Sequence, residues 1–396
     1  MRILHLGKYF PPFSGGIENF TSDLLTALAA GGVTTAALVH DHRFGHFRPL
    51  APIFAETTEA GSRVHRIPTY GTVLFTPLSP SFPLALQFGI SRFKPDILHL
   101  HMPNPWCFSA LFLSSARRIP WIVHWHSDVV FPDSALAMKA AYQIYSAPEK
   151  QLLRRAAAVI ATSSTYLQTS LPLSPVSHKT TVIPLGINPD RFYRPTASDL
   201  RWADAQWGDN TFRLLSIGRL TYYKGHSHLI DAMENVQDTR ALIVGSGERS
   251  TFLAHRIQNR SLENRVCLTG HLPDPQLQAL LTSCDALCLP STERTEAFGL
   301  VLLEAMQLGK PVIVSQVHGS GMPWVVRDGI DGLHVQPGNA LDLAAAINQL
   351  RYNRDEALRM GQNGKKRFDA CFHISPVADQ VHTLYRRVTT HDATGS

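Results

Sequence analysis

Thr295-Glu296-Ala297-Phe298-Gly299-Leu300-Val301-Leu302-Leu303-Glu304 sets two carboxylates eight residues apart, joined by a glycine and an apolar run. Upstream, Ala286-Leu287-Cys288-Leu289-Pro290-Ser291 reads as a buried strand ending in a turn. Downstream, Val301 to Leu308 reads as a helix that stops near Gly309. Glu296 therefore falls in a strand-to-helix loop, and Glu304 lies on the helix. There the backbone N–H groups of Phe298, Gly299 and Leu300 can meet a phosphate at the helix start. Glu304 is placed to accept hydrogen bonds from ligand hydroxyls. On spacing alone a second reading stands level: a capping acid followed by a helix-surface glutamate.

The segment resembles the E-x7-E motif of retaining glycosyltransferases of family 4, which use the two-domain GT-B fold. Four further stretches match that family in order. Ser216-Ile217-Gly218-Arg219-Leu220 with Lys224-Gly225 resembles its phosphate-binding pair. Leu242–Glu248 resembles the next strand and glycine loop, and Leu268-Thr269-Gly270-His271-Leu272 the stretch near the nucleotide base. Gly309–Val314 resembles the strand after the E-x7-E helix. The resemblance spans nearly the whole chain.

Composition agrees with a globular protein of two domains. The chain has 396 residues, long for one core. With 44% hydrophobic and 17% charged residues it is not disordered. The N-terminus lacks an apolar leader, and no run of about 18 apolar residues predicts a spanning helix. Cys107, Cys267, Cys284, Cys288 and Cys371 show no paired C-x2-C spacing, which argues against a zinc site or a disulfide framework. The expected location is the cytoplasm, with peripheral attachment to the inner membrane as an extension. The net charge of +6 is uneven: residues 1–190 carry 15 Lys and Arg against 10 Asp and Glu. No zinc-finger spacing or dense Lys/Arg run points to nucleic acid.

Strand-helix alternation in both halves predicts an α/β protein with two Rossmann-like, doubly wound parallel sheets facing across a cleft. Expected strands in the first half are Ile3–Leu6, Thr35–His40, Ile97–His101, Trp121–His126 and Ala158–Thr162, with one more around Arg63–Ile67. A second series runs over Phe212–Ile217, Ala241–Val244, Val266–Thr269, Ala286–Leu289, Val312–Val314 and Gly332–Val335. Residues 1–188 are expected to form the acceptor-side domain and 189–375 the nucleotide-sugar domain. Pro189 to Asn210, polar and without a clear strand, reads as the linker. The resemblance implies that a helix over residues 376–396 returns to the first domain.

Arg219 and Lys224 follow a strand and suit a diphosphate, whose charge a guanidinium and an ammonium both offset. Two solvated surface cations are the alternative. Gly245-Ser246-Gly247 lacks the third glycine of a dinucleotide fingerprint and reads as a tight turn beside the nucleotide. Phe13-Ser14-Gly15-Gly16-Ile17-Glu18 resembles the family's N-terminal glycine loop, where Gly16 opens a helix able to favour anions. A simple turn is the alternative. In His124-Trp125-His126-Ser127-Asp128, alternation puts His124 and His126 on one face. By resemblance, His126 lies beside the transferred sugar, with Asp128 orienting it or the sugar; a core or rim histidine is the alternative for either ring. His99 and His101 form a similar pair, with an acceptor-side and a structural role equally open for His101.

Trp324 stands where the family commonly has a glutamate before an apolar pair, which puts an acid role there in doubt. Asp-x-Asp occurs nowhere, so no metal is expected to bridge the diphosphate. No cofactor is expected either. The resemblance thus implies a retaining hexosyltransferase. Glu296 would contact the donor sugar, Glu304 the ribose, and Arg219 with Lys224 the diphosphate of a GDP- or UDP-linked sugar. The acceptor would be a glycan or a lipid-linked glycan. An anionic membrane surface is a further partner, suggested by Arg43, Arg48, Arg63 and Arg66 with Phe44 and Phe47 among them. A same-fold 2-epimerase or phosphorylase, or a non-catalytic nucleotide-sugar binder, is the rival reading.

Overall fold

Continuous apolar runs build two parallel sheets, each within its own unit. The computed structural model describes residues 1–13, 15–42, 55–59, 61–73, 76–129, 136–209 and 212–394. One unit comprises Met1–Gly186 with Ile374–Ser396, and the other Ile187–His373.

The first unit carries β1 (Arg2–Leu6), β2 (Thr34–His40), β3 (Ala55–Glu59), β4 (Ser62–Ile67), β5 (Thr72–Val73), β6 (Thr76–Pro77), β7 (Ile97–Met102), β8 (Trp121–Trp125), β9 (Ala158–Ala161) and β10 (Thr180–Val182). Its main sheet runs β10-β9-β8-β7-β1-β2-β4-β3, and only the β3–β4 pair is antiparallel. β7, β8 and β9 are buried at every residue, as expected of a parallel sheet covered on both faces. The Gly16–Ala30 helix buries Phe20, Leu24, Leu25 and Leu28 and ends at Gly31, whose N–H bonds Ala27 O at 3.0 Å. The Ile374–Thr394 helix packs against it within this unit. β3 was not expected from the sequence. Arg43, Phe44, Phe47 and Arg48 lie outside the described residues.

The second unit carries β11 (Phe212–Ile217), β12 (Thr239–Val244), β13 (Val266–Gly270), β14 (Ala286–Leu289), β15 (Val312–Ser315) and β16 (Gly332–Val335), in the order β13-β12-β11-β14-β15-β16. All its pairs are parallel. The linker expected over Pro189–Asn210 is corrected by a helix over Ala197–Trp207. A capping box between Thr196 and Asp199 starts it. Trp207, 0% exposed, anchors it by donating Nε1–H to Ser283 Oγ at 2.9 Å.

Candidate functional site

The second sheet reverses its order between β11 and β14, and such a reversal opens a crevice beyond the C-terminal ends of those strands. After β11 the chain passes Gly218 and Arg219 into a turn over Tyr222–Lys224. After β14 it passes Pro290 and Glu296 into the Leu300–Gln307 helix. The two loops are laced together. Thr292 donates its N–H to Tyr223 O at 2.7 Å, and Tyr222 donates its hydroxyl to Glu293 Oε2 at 3.0 Å. Lys224 and Glu296 form a salt bridge with side chains 12% and 14% exposed. Gly225 has φ +70°, and a Cβ there would lie 1.9 Å from Pro290 O, so only glycine lets the loops approach this closely. Arg219 is exposed beside this pair in sequence.

Apart from Gly16, which lies in the first unit, the other residues expected to bind the donor fall around the ends of the same sheet's strands. Gly245 packs its backbone on the arginine loop, for a Cβ there would meet Gly218 O at 2.0 Å. Gly270 ends β13 at φ +71°, with open space beyond it. Phe298 is 3% exposed, its ring edge-on to Phe372 at 6.1 Å, so its side chain belongs to the core and its backbone is what it can offer a ligand. Gly299 caps the next helix at φ +78° without a side-chain hydrogen bond, and Leu300 is the first helical residue. First-turn N–H groups without a side-chain cap suit an anion. Glu304 lies one turn on and is half-buried. The segment around Trp324 buttresses this loop: Ser320 Oγ donates to Glu296 O at 2.5 Å, and Gly321 N–H to Ala297 O at 2.7 Å. Trp324 itself packs edge-on to Phe372 at 6.0 Å, with Arg367 over its ring.

The first sheet reverses between β1 and β7, and there five histidines converge. Strand register pairs His5 with His99 and His101 with His124. His126 follows β8, its ring stacked on His124 at 4.4 Å. All five are at most 3% exposed. Burial holds these imidazoles well below the usual histidine range, His101 at about 3, so they are neutral near pH 7. Asp128 accepts from Trp125 Nε1 at 2.8 Å and Ser170 Oγ at 2.6 Å. It does not orient His126, whose Nε2 meets His101 Nδ1 at 2.9 Å and whose Nδ1 has no partner. Gly16 is the exposed first residue of its helix, and Ser14 lies outside the described residues. The sequence reading missed His5 and Tyr385, which join this cluster only once the strand order and the C-terminal helix are known.

Two family models match: "glycosyl transferase 4-like domain" over residues 15–186 and "glycosyl transferases group 1" over 203–367. The chain is 30% identical over 391 residues to O-antigen chain mannosyltransferase C of Escherichia coli, covering 97% of this chain and 98% of that one. This chain belongs to glycosyltransferase family 4. It is also 29% identical to D-rhamnosyltransferase WbpZ of Pseudomonas aeruginosa, over 94% of this chain and 92% of the relative. Among solved structures, sucrose-phosphate synthase from Thermosynechococcus elongatus aligns with a TM-score of 0.78 at 25% identity, covering 98% of this chain and 99% of that one. The two parallel-sheet units are those of a GT-B glycosyltransferase. The group 1 match spans the unit holding Arg219, Lys224, Glu296 and Glu304, and the 4-like match the unit holding Gly16, His126 and Asp128.

Proposed function

We propose that this family 4 glycosyltransferase is a retaining, metal-independent hexosyltransferase. It moves a mannose- or glucose-type sugar from a GDP- or UDP-linked donor to a hydroxyl of a glycan, carried on a lipid diphosphate in surface polysaccharide assembly. The observation that carries the reading is the Lys224–Glu296 pair at the strand reversal, next in the loop to exposed Arg219. Two cations beside a carboxylate suit a donor that is anionic at its diphosphate and hydroxyl-rich at its sugar. Arg219 and Lys224 hold the diphosphate and offset the charge that grows on it as it leaves. Glu296 holds the sugar and Glu304 the ribose. Gly245, Gly270 and the N–H groups of Phe298, Gly299 and Leu300 line the nucleotide side. The bond between the anomeric carbon and phosphate oxygen breaks as the acceptor oxygen attacks from the same face. The acceptor's proton passes to the departing phosphate. The mannosyl- and rhamnosyltransferase relatives support a manno-configured donor.

The acceptor places the reaction at the cytoplasmic face of the inner membrane. Among the described residues no helix is long and apolar enough to cross a membrane. Arg66 does not serve a lipid surface freely, since its guanidinium donates to Pro11 O at 2.6 Å. The test incubates the purified protein with a panel of nucleotide sugars and a lipid-diphosphate-linked acceptor. Acceptor-dependent release of nucleoside diphosphate and a product of retained configuration are expected. Release without transfer from every donor, or an inverted product, overturns the reading.

A further inference from the structure

The first sheet gathers a row of basic residues at its N-terminal edge, away from the histidines. Arg92 and Lys94 precede β7, Arg117 and Arg118 precede β8, Arg154 and Arg155 precede β9, and Lys179 precedes β10. Because β7, β8, β9 and β10 are parallel neighbours, all four entries fall along one edge, in steps of roughly 5 Å. The six side chains before β7, β8 and β9 are exposed. From Phe82 to Lys179 the sequence carries nine Lys and Arg against four Asp and Glu. Among the described residues no carboxylate pairs with any of the six. Asp96 accepts the Arg2 backbone N–H at 2.7 Å, Glu149 is buried, and Asp128 lies beyond the other end of β8. Burial and the neighbouring Arg155 charge lower the pKa of the Lys179 ammonium, as cations without a counter-ion do.

The row borders a groove between the helices that cover this side of the sheet. Leu111, Arg117, Trp121, Gln151, Arg154 and Arg155 line it, around a volume of about 300 Å³. Arg155 is braced there, its guanidinium over the Trp121 ring at 5.1 Å and donating to Arg117 O. Apolar side chains stand exposed on the same helices. Phe112, next to Leu111, is 78% exposed. Ile144, two turns before Gln151 on the Leu136–Arg155 helix, is 81% exposed. Leu84 and Phe88 are exposed one turn apart on the Phe82–Phe93 helix, which Ser115 ties to this surface by donating to Gln87 Oε1 at 2.6 Å. We propose that this face docks on an anionic phospholipid bilayer, with a lipid phosphate in the groove between Arg117 and Arg154 and with Phe112 and Ile144 entering the headgroup boundary. A soluble polyanion would leave Phe112 and Ile144 in water, and a second copy would set like charges against one another. The face lies at the opposite end of the strands from the β1–β7 reversal, so docking leaves that crevice open. Such docking rests on the reading of a lipid-carried acceptor for its purpose, while its test needs no sugar transfer.

The experiment is flotation of the full-length protein with vesicles of phosphatidylcholine, alone or with about 30% phosphatidylglycerol. Binding is expected only to the anionic vesicles, and raising NaCl from about 0.05 M to about 0.5 M should weaken it at least about tenfold. The Arg117→Ala/Arg118→Ala/Arg154→Ala variant, with an unchanged unfolding midpoint, should bind about 100-fold more weakly. Phe112→Ala/Ile144→Ala should cost about tenfold. No binding, or equal binding to both vesicle types, overturns the docking surface in the wild-type protein alone. Binding kept in the triple arginine variant but lost in Arg43→Ala/Arg48→Ala moves the membrane contact elsewhere and overturns it too. So does self-association that the triple variant abolishes, without flotation, which gives the face to a second copy. Failed flotation leaves sugar transfer untouched, and a protein inactive toward every donor can still float, so the two readings fall separately.

Discussion

The two strand reversals share a topology and differ in their electrostatics. In the second unit the crevice edge is ionic, with Lys224 on Glu296 and exposed Arg219 in the same loop. In the first unit the equivalent edge is a stack of buried, neutral imidazoles. The two edges suit different ligand chemistry. A diphosphate is best met by fixed positive charge, whereas sugar hydroxyls are met by uncharged donors and acceptors whose direction matters more than their charge. Similar sheets were therefore filled to opposite ends, and the difference sits in a handful of residues at the strand tips.

The largest test of this contrast is acid. His40 and His101 are pushed down to about 3, and His5, His99, His124 and His126 well below the usual range, all chiefly by burial in the first unit. In the second unit burial pushes His226 down to about 4. Between its folded value and about 6.5 such a histidine is neutral when folded and charged when unfolded. Its cost is absent above pH 6.5 and grows as pH falls, by about 1.4 kcal/mol per unit for each ring. Glu149, raised to about 7 by burial, works in the opposite sense but is a single group. Lowering pH from 7 to 5 should strip amide-exchange protection from the first unit far more than from the second. Equal losses, after correction for intrinsic exchange, would break the contrast.

At the ionic edge, Arg219→Ala and Lys224→Ala should each raise the transfer barrier by about 2–4 kcal/mol, read as kcat/KM. Lys224 touches Glu296, so the Lys224→Ala/Glu296→Ala double variant should lose less than the sum of the singles, by about 1–2 kcal/mol. Arg219 and Glu296 should add more nearly. Unchanged kinetics in both cation variants would remove the diphosphate from this loop.

Much of this was legible because both units follow simple periods. The apolar runs at Phe212–Ile217, Ala286–Leu289 and Gly332–Val335 matched the observed strands end to end. What escaped was set by tertiary contact. The Ala197–Trp207 helix has a polar surface and is anchored mainly through Ala203 and Trp207, so its composition resembled a linker. Its Thr196-Ser198-Asp199 start and Gly208 stop were the available signals. The two His-x-His pairs stood out, but their meeting with His5 depends on β1 lying beside β7, and with Tyr385 on a helix nearly 300 residues away. No local pattern carries that information.

Glycine placement gives a smaller, paired test within the ionic unit. Gly225 and Gly270 have nearly the same φ, +70° and +71°, but a Cβ meets Pro290 O at 1.9 Å in the first case and open space in the second. Gly225→Ala should cost about 2–3 kcal/mol and weaken donor binding, because the lysine loop must move off the glutamate loop. Gly270→Ala should cost about 1 kcal/mol, the strain of a left-handed residue alone. Thermal unfolding of both variants reads the difference directly. Equal destabilisation would mean that the two loops do not depend on this close approach.

The smallest expected effect is none. Transfer should proceed at an unchanged rate after treatment with EDTA, because Arg219, Lys224 and an uncapped helix start supply positive potential from the protein itself. A metal would have to be held by carboxylates near the diphosphate, and no Asp-x-Asp exists to hold it. Glu296 is already bound to Lys224, which lowers its value as a ligand for a second cation. The histidine cluster lies in the other unit, and its nitrogens face one another. Initial rates with a saturating donor, measured with and without chelator, decide the matter. Full loss restored by Mg²⁺ or Mn²⁺ would show that protein cations alone do not carry the leaving group, and the contrast between an ionic and a neutral edge would need a third charge.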